Sequence, residues 1–317
     1  MSFADPWGKL DKLTGACHHL AHHCADVAAC FLAIVGMPVF RARLDCAAGR
    51  RLSDVDVARL VVLVFLHDVG KLHPGFQAKG WPLGIWTGPL FGHVREGLEI
   101  FLAQDAARGL AAAKSLHIEH LSTWGVNAGL LRAVISHHGR PARAPNSLGH
   151  VKIYWKKAGA YDPDKAAVVL GDAVTSWLPN AFGSDATPLP DTPRFEHLMC
   201  GLTALADWIG SDAERFKFIG MLDHDYWQIA TSRAATAVAA IGLDTSQQRA
   251  TRQAPATFRE VSRFDTPNPH QRLVGVTDLE ARLVILEAET GSGKTEAALW
   301  QGRCGPTSCC DEPVWWQ

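Results

Sequence analysis

His67 and Asp68 stand side by side at the end of Leu60-Val61-Val62-Leu63-Val64-Phe65-Leu66, a run that is apolar on every side. Such a run belongs inside a globular core. An imidazole beside a carboxylate is costly to bury there unless the two are paired or hold a metal ion. Nitrogen and oxygen donors on adjacent residues, with Gly70 and Lys71 just beyond, read as the start of a metal site. The alternative is a core helix whose polar end reaches solvent. Further His and Asp residues recur at element ends or inside apolar runs: His23, His93, His137-His138 and Asp207. A second chemistry is written at Ala288-Glu289-Thr290-Gly291-Ser292-Gly293-Lys294-Thr295, a glycine-rich phosphate loop.

The elements that must position these groups follow from periodicity. Leu20, Val27, Phe31 and Ile34 predict a helix over 18–35, with His18, His19, His22, His23 and Asp26 on its first turns. His23 and Asp26, three apart, share a face and could act at one site. Pro38 is expected to stop this helix, leaving Arg41–Arg51 as a basic connector. Ser53-Asp54 is an N-cap pair for the helix that carries His67-Asp68 at its end. Residues 73–92, rich in Gly, Pro and Trp, read as an ordered surface loop. There Trp81 and Trp86 pack, or alternatively stack on bases. His93 opens an amphipathic helix, and residues 125–138 form another with Gly139 just past its end. Pro141, Pro145 and Gly149 mark a loop. Helices are expected at 165–178, 195–210 and 223–243. No alternating pattern precedes residue 270, so the first 243 residues predict an all-α domain. Residues 244–270 are a linker by composition. Residues 271–300 carry a short β-type run at 282–288 and then the phosphate loop. The Cys/Trp-rich residues 301–317 show no pattern and read as an aberrant or disordered tail.

Bulk properties exclude several classes. A net charge of −1 provides no global basic field, so nucleic-acid binding needs a local groove. Eight cysteines without a Cys-x-x-Cys pair argue against a zinc knuckle or redox motif. No secretion signal and no membrane-length apolar stretch is visible. A cytoplasmic protein with free, mostly buried thiols is the expectation.

The order His…His-Asp…His…His-His…Asp resembles the HD-domain phosphohydrolases. The contexts His-Leu-Ala-His-His-Cys-Ala-Asp-Val-Ala, Leu-His-Asp-Val-Gly-Lys-Leu-His-Pro-Gly-Phe-Gln, Ser-His-His-Gly and Leu-Ala-Asp-Trp-Ile-Gly-Ser are closer still. They resemble the nuclease domain of the CRISPR-associated helicase–nuclease of type I systems. The resemblance implies a di-metal centre on a helical scaffold. His23, His67, Asp68 and Asp207 would hold one divalent ion, and Asp68 would bridge to a second held by His93, His137 and His138. His19 and His22 are rivals of His23, and His117 and His120 of His93. Such ligands suit Mn, Fe, Ni, Co or Zn, with Mg also admitted. Asp68 and Lys71 would act in catalysis, Lys71 against developing phosphorane charge, and Ser211 would contact a substrate phosphate. Asp26 reads rather as a cap or a partner of a ligand histidine. The implied activity is hydrolysis of single-stranded DNA in antiviral defence, beside a Cascade-type surveillance complex and away from membranes. A nucleotide-directed HD phosphohydrolase and a non-catalytic docking remnant are the alternatives.

The phosphate loop has the form used by superfamily 2 helicases. Gly291 and Gly293 would cradle phosphates, Lys294 would reach the terminal ones, Thr295 would hold Mg²⁺, and Gln271 resembles the glutamine that reads adenine. Nuclease first and motor second is the order of the full-length relatives. The chain stops soon after, with no acidic Walker-B segment and no second motor lobe. ATP with Mg²⁺ is therefore expected only in an intact helicase, and a truncated or frameshifted gene is the expectation here.

Overall fold

In the computed structural model, residues 4–102, 111–140, 142, 153–183, 187–244, 257–275 and 285–304 are described. The chain divides into two compact units, Met1–Leu243 and Asp244–Gln317.

The first unit is helical, as the periodicity requires. Its central helix, α1 (Leu20–Gly36), is buried except at Leu32, Ala33 and Gly36. Burial of Phe31 and Ile34 alone contributes about 1.5–3 kcal/mol each. Around α1 pack α3 (Asp54–Phe65), α10 (Pro193–Gly210) and α11 (Tyr226–Ala240). Between these in the chain lie α4 (Pro74–Gln77), α5 (Val94–Leu102), α6 (Ala111–Ser115), α7 (Ile118–Thr123), α8 (Ala128–Ile135) and α9 (Pro163–Trp177). Ser53 caps α3 in a reciprocal box with Asp56, which fixes where the apolar run begins. No single helix among the described residues is long and apolar enough to cross a membrane.

Several expectations are corrected. His18 and His19 do not lie on the helix: they belong to β2 (Cys17–His19), which pairs antiparallel with β1 (Trp7–Leu10). Strands this short carry too few residues to show an alternation. Pro38 does not leave a connector behind it but starts α2 (Pro38–Ala48), where its missing N–H is no loss at a first helical turn. Only Leu44 and Ala47 of α2 are buried, so its apolar signal is faint. The stretch 73–92 is not all surface loop: Pro74, Gly75, Phe76 and Gln77 form the buried α4. Trp81 packs on Tyr161 at 5.4 Å between ring centroids, and Trp86 donates its indole N–H to Pro89 O, which is packing rather than an open stacking platform. Cys24 and Cys30 are buried, Cys17 and Cys200 are half-buried and Cys46 is exposed. The loop marked by Pro145 and Gly149, and residues 305–317 of the tail, lie outside the described residues.

In the second unit, α12 (Phe258–Val261) interrupts the stretch read as linker, and α13 (Pro269–Gly275) carries Gln271. Of the β-type run only residues 285–288 are described, and they form no strand. A strand exists only through a partner, and the described residues of this unit offer none. The phosphate loop then leads into α14 (Lys294–Cys304).

Candidate metal centre

The apolar helix α3 ends at Phe65, and residues Leu66–Leu72 tighten into a 3-10 segment with a kink at Asp68 (φ −111°, ψ 17°). The end of a helix leaves carbonyls without partners. His67 answers one of them: its Nδ1 lies 2.8 Å from Val64 O, three residues back. The end of α8 is built the same way, with His137 Nδ1 3.1 Å from Val134 O. Donation from Nδ1 fixes the orientation of both rings and turns both Nε2 atoms inward. Both Nε2 atoms are buried without a hydrogen-bond partner.

Asp68 sits between these rings, and its two oxygens face different groups. Oδ2 lies 2.9 Å from His23 Nε2, 3.2 Å from His67 Nε2 and 2.6 Å from Lys71 Nζ. Oδ1 faces His93 Nε2 at 3.3 Å and His137 Nε2 at 3.7 Å. Asp207, from the buried face of α10, places Oδ1 3.7 Å from both His23 and His67. His93, just before α5, meets His138 with the two Nε2 atoms 2.8 Å apart. The fold thus gathers His23, His67, Asp68 and Asp207 into one group of donor atoms and His93, His137 and His138 into another.

The electrostatics ask for positive charge at this point. Burial works to raise the Asp68 pKa, but the Lys71 ammonium and His67 outweigh it and hold the carboxyl well below the usual range. Burial likewise opposes charging His67, yet Asp68 and Asp207 outweigh it and lift the ring to about 9. A proton there balances two buried carboxylates, which a cation would do equally well. Burial keeps His93 and His137 neutral, at about 4 and about 3. Neutral imidazoles with inward lone pairs, an unpartnered Asp68 Oδ1 and a second carboxylate form a donor set that fits divalent ions.

A sequence model of the family described as "Cas3, HD domain" matches residues 7–216. The chain belongs to the Cas3 HD-domain family. It is 30% identical over 305 residues to the CRISPR-associated endonuclease/helicase Cas3 of Thermus thermophilus, covering 89% of this chain and 30% of that protein. It therefore spans about a third of the length of that curated relative. Among solved structures, T. fusca Cas3 with AMPPNP is similar in fold, with a TM-score of 0.61 and 22% identity, covering 94% of this chain and 34% of that one. A chain of a CRISPR RNA-guided surveillance complex in a pre-nicking state is similar at a TM-score of 0.53 and 21% identity, over 94% of this chain and 34% of that one.

Other candidates of this Cas3 HD domain lie elsewhere. His19 caps α1, accepting from Ala21 N, and His22 accepts from Asp223 N while stacking on Tyr226. Asp26 does not face the centre with His23: it accepts from His18 Nε2 at 2.8 Å and from the Tyr226 hydroxyl. His117 and His120 cluster with Glu119 around α7. Ser211 donates to Asp207 Oδ1 at 3.0 Å. In the second unit Lys294 Nζ bonds to Ala288 O and Glu289 O, while Gln271 donates to Gly293 O. Sequence reasoning missed Lys9, whose ammonium lies 2.7 Å from Ser211 Oγ. It also assigned no role to Gln77, which is fully buried.

The histidines beside the centre carry a pH dependence. Burial, aided by neighbouring imidazoles, lowers His19 to about 3 and His22 to about 4. Below pH 6.5 the unfolded chain takes up protons that these folded rings refuse, so their contribution is present above 6.5 and lost as pH falls toward 4. The denaturant midpoint of chelator-treated protein should fall steadily from pH 7 to pH 4.5. A flat midpoint across that range would contradict this account.

Proposed function

We propose that this chain is a metal-dependent nuclease that hydrolyses phosphodiester bonds of single-stranded DNA in type I CRISPR interference. The observation that carries the reading is Asp68, whose two oxygens face two separate groups of histidines. One divalent ion would be held by His23, His67, Asp68 and Asp207, and a second by His93, His137 and His138, with Asp68 shared. Bound there, two such ions supply Lewis acidity and water activation for an in-line displacement at phosphorus. Lys71, held 2.6 Å from Asp68 Oδ2 and 3.0 Å from Gly8 O, would meet charge that develops on the phosphoryl oxygens. Ser211, which donates to Asp207 Oδ1, would orient that carboxylate, and contact with a substrate phosphate would require it to turn its hydroxyl from Asp207.

Residues 1–243 are the nuclease unit in this reading, and the residues from 271 onward begin a helicase unit. Gly291, Gly293, Lys294, Thr295 and Gln271 would serve ATP and Mg²⁺ only with a complete motor. The name of the Thermus thermophilus relative and the surveillance-complex neighbour support nuclease work beside a Cascade-type complex, and single-stranded DNA as the substrate belongs to the proposal.

Stripping the protein with chelator and returning Mn²⁺, Ni²⁺, Co²⁺ or Mg²⁺ tests the reading. Two equivalents of a transition metal should bind per chain and restore cleavage of single-stranded over duplex DNA. Turnover of dNTPs or cyclic nucleotides with single-stranded DNA left intact would move the assignment to a nucleotide phosphohydrolase.

A further inference from the structure

Strand β1 has four residues, yet it is tied down on both sides. Leu20 N donates to Pro6 O, and β1 pairs with β2 through Lys9 opposite His18 and Leu10 opposite Cys17. The pairing slips between Trp7 and Lys9, leaving Gly8 as an extra residue in the strand. Bulges of this kind re-aim the side chain that follows. Gly8 fits because a Cβ there would stand 2.7 Å from His23 Cβ.

On the other side Gln77 holds Trp7 like a short piece of ladder. Trp7 N donates to Gln77 Oε1, Gln77 Nε2 donates to Trp7 O, and the Trp7 indole donates to Gln77 O. Gln77 Nε2 also donates to Lys71 O at 2.7 Å, which ties β1 to the His67-Asp68 segment. The neighbouring Gly8 carbonyl accepts from Lys71 Nζ.

The product of this bracing is the position of Lys9. Its Nζ donates to Ser211 Oγ at 2.7 Å, and Ser211 donates to Asp207 Oδ1 at 3.0 Å. The side chain is half-buried, and its fields include Lys71, Asp207 and Asp68. An ammonium has three protons. Ser211 takes one, and the other two have no acceptor among the described residues. A second cation beside Lys71, braced by a bulged strand and partly accessible, is far more organised than a surface lysine requires.

We propose that Lys9 is a substrate-binding residue of this centre, donating to a non-bridging phosphate oxygen of the DNA strand on the Asp207–Ser211 side. The inference rests on the nuclease reading above. Lys71 then serves the Asp68 side, and the two ammoniums bracket the phosphate. Gln77 acts through Trp7 as a positioning residue.

The test uses the full chain with Lys9→Met, which keeps the apolar stem, and Lys9→Arg, which keeps the charge. Metal content is measured first, then fluorescence anisotropy with labelled oligothymidine at several salt concentrations, then cleavage. Lys9→Met should bind wild-type amounts of Mn²⁺. It should lower the slope of log affinity against log salt by about 0.7, the loss of one single-strand phosphate contact. Its kcat/KM should fall about 10- to 100-fold, as for loss of a charge-assisted hydrogen bond. Lys9→Arg should recover the slope and most of the activity. A Lys9→Met protein with an unchanged slope, or one that has lost metal, overturns the proposal. If wild-type protein binds oligothymidine but does not cleave it, the nuclease reading fails, and the slope still decides the role of Lys9.

Discussion

Asp68→Ala should abolish metal-dependent cleavage, by roughly a thousandfold or more, above the 10²–10³ that a single oxyanion donor is worth. Asp68 belongs to one donor group and faces the other, meeting His23, His67 and Lys71 through one oxygen and His93 and His137 through the other. Its removal leaves Asp207 as the one carboxylate of the two donor groups and takes away the oxygen that faces His93 and His137, so bound metal should fall below one ion per chain. The fold should survive, because the core around α1 and α3 does not depend on this side chain. Metal analysis and circular dichroism on the same sample check both statements. An alanine variant that still binds two ions and cuts at the wild-type rate would remove Asp68 from the centre.

Gly70→Ala should be nearly as damaging, through packing rather than chemistry. A Cβ at Gly70 would fall on the His93 carbonyl oxygen and stand 2.5 Å from Gly97 N. Both are backbone atoms at the start of α5, and that carbonyl already accepts from Gly97 N. The helix must move away, and His93 moves with it. Overpacking of this kind costs about 1–3 kcal/mol. For a unit of this size each kcal/mol lowers Tm by about 2–4 °C. The expected variant melts several degrees earlier and retains the His67–Asp207 side while losing affinity on the His93–His138 side. Calorimetry with metal titration reads both effects. Equal loss on both sides would mean that the damage is not confined to α5.

The helical character was legible because long buried helices repeat their apolar residues. Phe31 and Ile34 in α1, and the run before His67, announce themselves without any partner. What escaped notice has a common cause. Strands β1 and β2 are too short for a period, and α2 buries only two residues. His18, His19 and Asp26 carry the right chemistry for the centre, yet they serve β-pairing, helix capping and a bond to Tyr226. Spacing along the chain cannot separate a ligand from a neighbour that satisfies backbone or packing.

Residue type and local order singled out His67-Asp68, and His23, His93, His137, His138 and Asp207, as candidates, and the family resemblance joined them into one ligand set. Folding alone settled how those groups are oriented and what surrounds them. The Val64 and Val134 carbonyls orient the rings of His67 and His137, and Asp68 divides its oxygens between two groups. Lys9 reaches Ser211 across 202 residues of chain. No local pattern encodes such a meeting, because it depends on where a bulged strand, a buried glutamine and a distant helix come to rest.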